Sequence, residues 1–210
     1  MNKTQQGRSM IEMLGVLAIV GVLSVGGIMA YNMAMNKFKT NKQMDQIQLI
    51  MTNVKTLFAS NSNYSGLSNG VLVALGVLTA HNTNAQSNAT SSNVPVDNAF
   101  GGNIYVYNNS AEDADYKLGK ALKDGSYIIA IDRIPRSACA VMANNDWGGS
   151  DSGLLDLLID KSGNKDVQSG TAPSGDSIYT SEGGAVTRIN VAQLANRCQS
   201  NNNAMFWVIK

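Results

Sequence analysis

Apolar residues recur with three different rhythms along the chain. From Met13 to Tyr31 the sequence MLGVLAIVGVLSVGGIMAY is apolar or small at nearly every position, and no Asp, Glu, Lys or Arg occurs between Glu12 and Lys37. At about 1.5 Å per residue, roughly 20 helical residues cross a hydrocarbon core of about 30 Å, so the run is long enough to span a membrane. Beyond it the apolar positions fall every three to four residues, at Phe38, Met44, Ile47, Ile50 or Met51, Val54 and Leu57 or Phe58, with Lys37, Lys42, Asp45 and Lys55 on the other face. The two rhythms join without a breaker. They predict one helix of about 50 residues from near Ser9 to near Ala59, ended by Ser60-Asn61-Ser62-Asn63.

Later in the chain the third rhythm is that of strands. Gly102 to Tyr107, Ser126 to Asp132, Ala185 to Asn190 and Ala204 to Ile209 are β-branched and aromatic runs bounded by turn residues. Ser68 to Leu78 predicts a short helix opened by a Ser or Asn cap, and Asp113 to Lys123 and Pro135 to Asn144 predict two more, the latter with proline in its first turn. Asn190 caps a further helix through Cys198. His81 to Asn93 reads as a polar, low-complexity loop and Asn144 to Gly184 as one long loop. The fold class is α+β: a long N-terminal helix whose second half packs on an antiparallel β-sheet head.

Composition divides the chain near the same place. Eight of the ten methionines lie at or before Met51, whereas most of the 24 asparagines come later, among Gly, Ser and Thr. A hydrophobic content of 44% with three prolines excludes a disordered tail and a collagen. With 16 basic against 15 acidic residues there is no sustained positive field, which argues against nucleic acid as a partner. A cleaved secretory signal shares the outline of a basic start and an apolar stretch. The length of the run, the lack of a small-x-small site after it and the presence of Glu12 at its mouth argue against that reading.

Glu12 is the most informative residue. A carboxylate among apolar neighbours on a membrane helix costs roughly 3 kcal/mol and is retained for a partner. In a bundle of such helices each Glu12 needs a cation, and an α-amine on an adjacent, staggered helix supplies one in a low-dielectric setting. Gly15, Ala18, Gly21, Ser24, Gly26 and Gly27 either let such helices approach closely or are incidental to a lipid-facing span.

The residues Gly7-Arg8-Ser9-Met10-Ile11-Glu12, leading into the apolar run, resemble the type IV prepilin signal: a short polar leader ending in glycine, a cut after it, and glutamate at the fifth mature position. The resemblance implies that a prepilin peptidase cuts between Gly7 and Arg8, and that Glu12 faces the N-terminal amine of a neighbouring subunit. Arg8 departs from the hydrophobic residue with which members of the family usually begin. Ser65-Gly66-Leu67 through Gly76, Asn98 to Asn103 ahead of a strand, and Ile134-Pro135 followed by Cys139 look like the globular domain of type IVb pilins. The implied organisation is a leader over 1–7, a membrane-spanning and filament-core half-helix over 8–36, an amphipathic half over 37–60 and a head over 61–210. The implied function is a pilus subunit, made as a single-pass inner-membrane precursor with a cytoplasmic N-terminus. Its partners are lipid before assembly, then the pilus assembly machinery, and finally other copies of itself in an extracellular filament. Two competing readings are a pseudopilin of a type II secretion or DNA-uptake system, and a periplasmic binding or enzymatic domain on an uncleaved anchor.

Cys139 and Cys198 have 58 residues between them, no CxxC spacing and no nearby histidine, so metal binding and redox catalysis are poorly supported. A structural disulfide suits an oxidising compartment, with two buried thiols as the alternative; the pilin resemblance also implies a disulfide near the C-terminus. Candidate chemistry elsewhere is thin. The single histidine, His81, has no carboxylate or nucleophile beside it in the sequence. Asp160 to Asp166 carries oxygen ligands at alternate positions, but its glycine is misplaced for an EF-hand and two lysines intrude, which favours a polar turn over a calcium site. Trp147 either anchors a partner or roofs the sheet. No enzymatic activity, cofactor or metal is expected.

Overall fold

A computed structural model of the chain describes residues 10–81, 94–109, 125–148, 153–160, 175–180 and 187–210. The expected helix over 113–123, the loop residues 82–93, the junction of Gly7 with Arg8 and the segment 161–166 lie outside these. Two compact units are present, one up to Phe38 and one from Lys39 onward. The helix α1 (Met10–Leu57) is 48 residues long and contributes to both.

From Lys39 onward α1 buries Thr40, Gln43, Ile47, Ile50, Met51 and Val54. Phe38, expected at the head of this stripe, is instead 61% exposed. At about 100° per residue, the phase set by Ile47 turns positions 40 and 43 inward and position 38 to the opposite side. Polar side chains therefore occupy the inward positions at this end. The same phase settles the other end: Phe58 packs on the core, while Leu57 is 40% exposed.

The sheet comprises β1 (Val96–Asp97), β2 (Asn103–Asn108), β3 (Tyr127–Ile134), β4 (Leu154–Asp160), β5 (Asp176–Thr180), β6 (Thr187–Arg188) and β7 (Asn203–Ile209). Their spatial order is β1-β2-β3-β7-β4-β5-β6, with every neighbouring pair antiparallel. The last strand in sequence thus lies at the centre. Two of these strands, β4 and β5, fall where the sequence reads as one loop from Asn144 to Gly184. LLDLLID is rich in leucine and aspartate rather than β-branched residues, so intrinsic preference hides a strand that tertiary pairing with β7 and β5 creates. The expected strand over 185–190 is reduced to the two-residue β6 among the described residues.

Alternation along the strands separates two apolar layers. One face carries Val106, Ile129, Trp207, Leu157 and Tyr179 as a cross-strand row. The opposite face carries Tyr105, Tyr107, Ile128, Ala130, Leu158, Phe206 and Val208. Buried side chains of α1, of α2 (Asn69–Ala74), of α3 (Arg136–Asn144) and of α4 (Val191–Arg197) all join the first layer.

Local signals explain the short helices. Ser68 caps α2 through its side chain, and Gly76, at φ +75°, stops it well before the expected Leu78. Val77 N–H donates to Leu72 O at 2.8 Å and Gly76 N–H to Val73 O at 3.0 Å, the paired bonds of a Schellman ending. Pro135 sits at the cap of α3 rather than inside its first turn. Asn190 and Gln193 close a reciprocal capping box on α4. A disulfide joins Cys139 on α3 to Cys198 at the end of α4, with Cα atoms 5.7 Å apart, which excludes the free-thiol alternative.

Candidate functional site

The apolar half of α1 is the feature that a single folded chain leaves unexplained. Every large apolar side chain from Met10 to Met33 is at least half exposed, the least being Met13 at 50%. The helix is long and apolar enough to cross a membrane, and none of its most apolar stretch is buried. Removing each such side chain from water is worth roughly 2 kcal/mol, so this stretch carries a driving force on the order of tens of kcal/mol that nothing in the chain's described residues satisfies.

Glu12 stands in the first turn of α1, exposed among Met10, Ile11, Met13 and Leu14. A carboxylate there is favoured by the positive end of the helix dipole, which offsets part of the cost of an apolar setting. No described residue crowds the glycines of this half: a Cβ added at Gly15, Gly21, Gly26 or Gly27 would meet nothing within 4 Å. Ser24 satisfies its hydroxyl on Val20 O at 2.7 Å, the usual device for hiding a polar group in an apolar helix.

In the second unit, buried amides and one carboxylate fasten the helix to the sheet. Gln43 accepts from the Ala99 N–H at 2.9 Å. Asn98, in the same loop, accepts from Phe100 and Gly102 N–H at 2.8 and 2.9 Å and donates to Asp132 O at 2.7 Å. The Asp132 carboxylate accepts from Asn103 N–H at 2.6 Å. It lies at an irregularity in the β3–β7 register, next to Arg133 at φ +55°, the only positive-φ non-glycine among the described residues. Asn69 closes the other side, donating to Val94 O and Ile104 O at 2.8 and 2.7 Å and accepting from Val106 N–H at 2.7 Å. The sequence alone does not disclose these roles; the one signal for Gln43 is its position one turn before Ile47.

Burial pushes the Tyr127 phenol well up, helped by Tyr64 beside it, and burial alone does the same to Tyr107. Trp147 roofs the core: its indole N–H donates to Met142 O at 2.9 Å and its ring meets Trp207 edge-on, centroids 5.4 Å apart. His81, without a neighbouring acid in sequence, has one in space, its Nδ1 2.6 Å from an Asp97 carboxylate oxygen. Both side chains are more than half exposed, at 63% and 56%, and the pair is a surface tie. Asp160 ends β4 as a buried residue, and the rest of the 160–166 stretch lies outside the described residues. Among the described residues no three His, Cys, Asp or Glu side chains gather as a metal site.

The profile of the family described as Bundlin matches residues 33–198. The "Major structural subunit of bundle-forming pilus" of Escherichia coli O127:H6 (strain E2348/69 / EPEC) is 24% identical over 156 residues, covering 72% of this chain and 70% of the relative. The same-named protein of Escherichia coli O111:H- gives the same figures. Among solved structures, TcpA, a type IV pilin from Vibrio cholerae El Tor biotype, aligns with a TM-score of 0.50 at 11% identity, over 82% of this chain and 99% of that one. That likeness shows the type IV pilin fold.

Proposed function

The chain belongs to the Bundlin family, and from this premise we propose that it is the structural subunit of a type IV pilus. The observation that carries the reading is the apolar stretch of α1 from Met10 to Met33, exposed along its whole length. Such a surface needs lipid in a monomer and other copies of itself in an assembly. In this reading the subunit is made as a single-pass inner-membrane precursor, and a prepilin peptidase cuts it between Gly7 and Arg8. The assembly machinery then polymerises it into an extracellular filament. Its role in this reading is structural, and the buried amides of Gln43, Asn69 and Asn98 hold the head together.

Assembly follows from the helix. Each added subunit exchanges lipid contacts for helix contacts, and the small residues Gly15, Gly21, Gly26 and Gly27 permit close backbone approach. Glu12 then sits in a low-dielectric bundle, where an unpaired carboxylate is costly and one paired with a neighbour's N-terminal amine is not. A contact of this head-to-tail kind does not close on itself, so it propagates as a helical filament. The relatives named for a bundle-forming pilus favour a pilus subunit over a pseudopilin.

The processing step is tested by intact-mass measurement of the membrane-inserted protein. A new N-terminus at Arg8 supports the proposal, and a chain retaining residues 1–7 in assembled material contradicts it.

A further inference from the structure

Tyr31 and Phe38 are two of the few aromatic residues left in water, 64% and 61% exposed, and Lys37 between them in sequence is exposed as well. Positions seven apart on a helix differ by only about 20° in direction, so Tyr31 and Phe38 share one face of α1, about 10.5 Å apart along its axis. Among the described residues, neither joins the two apolar layers of the sheet.

Their depth is what gives them meaning, and this step rests on the membrane reading above. Counting from Met13, the first residue after Glu12, Tyr31 lies about 27 Å along the helix and Phe38 about 37 Å at 1.5 Å per residue. A hydrocarbon core of about 30 Å inside a bilayer of about 40–45 Å puts Tyr31 at the inner edge of the interface and Lys37 and Phe38 in the headgroup layer. Aromatic rings at this level are stabilised because one part of the ring meets acyl chain and another meets polar headgroups. An ammonium there reaches the phosphates of anionic lipids while its methylene stem stays on apolar surface.

We propose that Tyr31, Lys37 and Phe38 form an interfacial collar that seats the unassembled subunit against anionic phospholipid headgroups of the periplasmic leaflet. The collar fixes depth. With Tyr31 held at one interface, Glu12, 19 residues earlier and about 28 Å away along the helix, is held at the opposite edge of the hydrocarbon. That is where a carboxylate waits at least cost for a partner. It also explains why Phe38 is phenylalanine although its side points away from the core.

The test uses the full chain, disulfide intact, reconstituted in vesicles of phosphatidylcholine alone or with 30% phosphatidylglycerol. Nitroxide labels are placed through Tyr31→Cys, Phe38→Cys and, as a water-exposed reference on the same helix, Thr52→Cys. Collision with oxygen against a water-soluble nickel complex then reports depth. The expected result is at least a threefold lower nickel collision rate at position 38 than at 52, lower still at 31. Phosphatidylglycerol lowers the rate at 38 further, and adding Lys37→Gln removes that lipid dependence. Equal nickel access at 38 and 52, or a lipid dependence that survives Lys37→Gln, overturns the collar. Because the reading is taken on unassembled subunits, it stands or falls apart from the filament function, which the Glu12 experiment below addresses.

Discussion

Gln43 and Ala99 are joined across 56 positions of sequence by one hydrogen bond, from the Ala99 N–H to Gln43 Oε1 at 2.9 Å, and Gln43 is fully buried. The bond ties the long helix to the loop that starts β2, in a place where the helix phase called for an apolar side chain. The Gln43 amide nitrogen has no partner among the described residues, so the bond is bought at some expense. Gln43→Leu leaves the Ala99 N–H unpaired but removes the orphaned amide, and a net loss of about 1 kcal/mol is expected. Gln43→Glu buries a charge and loses more at pH 7 than at pH 4, where the carboxyl is neutral. Thermal unfolding of the detergent-solubilised protein at both pH values checks the pair.

Gly102 and Gly21 differ in what surrounds them. A Cβ at Gly102 would strike the Asp132 carboxylate and sit 2.7 Å from the Asp132 carbonyl oxygen, whereas one at Gly21 would meet nothing within 4 Å. Gly102→Ala is expected to destabilise the head by about 1–3 kcal/mol, and Gly21→Ala to leave head unfolding unchanged within about 0.5 kcal/mol. Denaturant titration of both variants decides this.

The buried tyrosines predict a loss of stability in alkali. Tyr107 and Tyr127 hold their protons in the folded state above the ordinary value of 10, because burial disfavours the phenolate. The unfolded chain releases those protons from about pH 10 upward while the folded chain keeps them, so stability is intact below pH 10 and falls as pH rises beyond it. Tyr127→Phe, whose hydroxyl makes only a 3.5 Å contact to Met51 O, is expected to flatten that fall. Unfolding midpoints at pH 8 and pH 11 measure the difference.

Reducing the Cys139–Cys198 bond, or replacing both residues by serine, frees a closed loop of 59 residues' separation. In the chain-entropy account this lowers stability by roughly 4 kcal/mol. Comparison of urea midpoints with and without reductant tests it, and unchanged midpoints contradict it.

Elements with strong local signals are legible in the order of residues alone. The uninterrupted apolar run and the 3.6-residue period after it specify α1, and β-branched runs specify β2, β3 and β7. Capping residues place α2 and α4 to within a few positions. What stays hidden depends on distant partners. Leu154 to Asp160 becomes a strand only because β7 and β5 flank it, and Asp97 becomes the partner of His81 only because β1 returns beside the end of the α2 segment. Phe38 departs from its expected place in the stripe because a run of three-to-four spacings does not fix phase at its end; only Ile47, Ile50 and Val54 on the core do. The candidate site is more legible than the head: Glu12 at the mouth of an apolar run is unusual chemistry that no fold is needed to notice.

In the proposed function the exposed apolar helix and Glu12 together build a filament. Glu12→Ala removes the carboxylate and leaves the apolar run, so membrane insertion should be unchanged. Cells producing this variant as their sole copy, viewed by electron microscopy alongside membrane fractionation, decide whether Glu12 is needed for the filament. The expected result is normal amounts of subunit in the inner membrane and filaments absent or severely reduced. Wild-type numbers of surface filaments built from the Glu12→Ala subunit would contradict it.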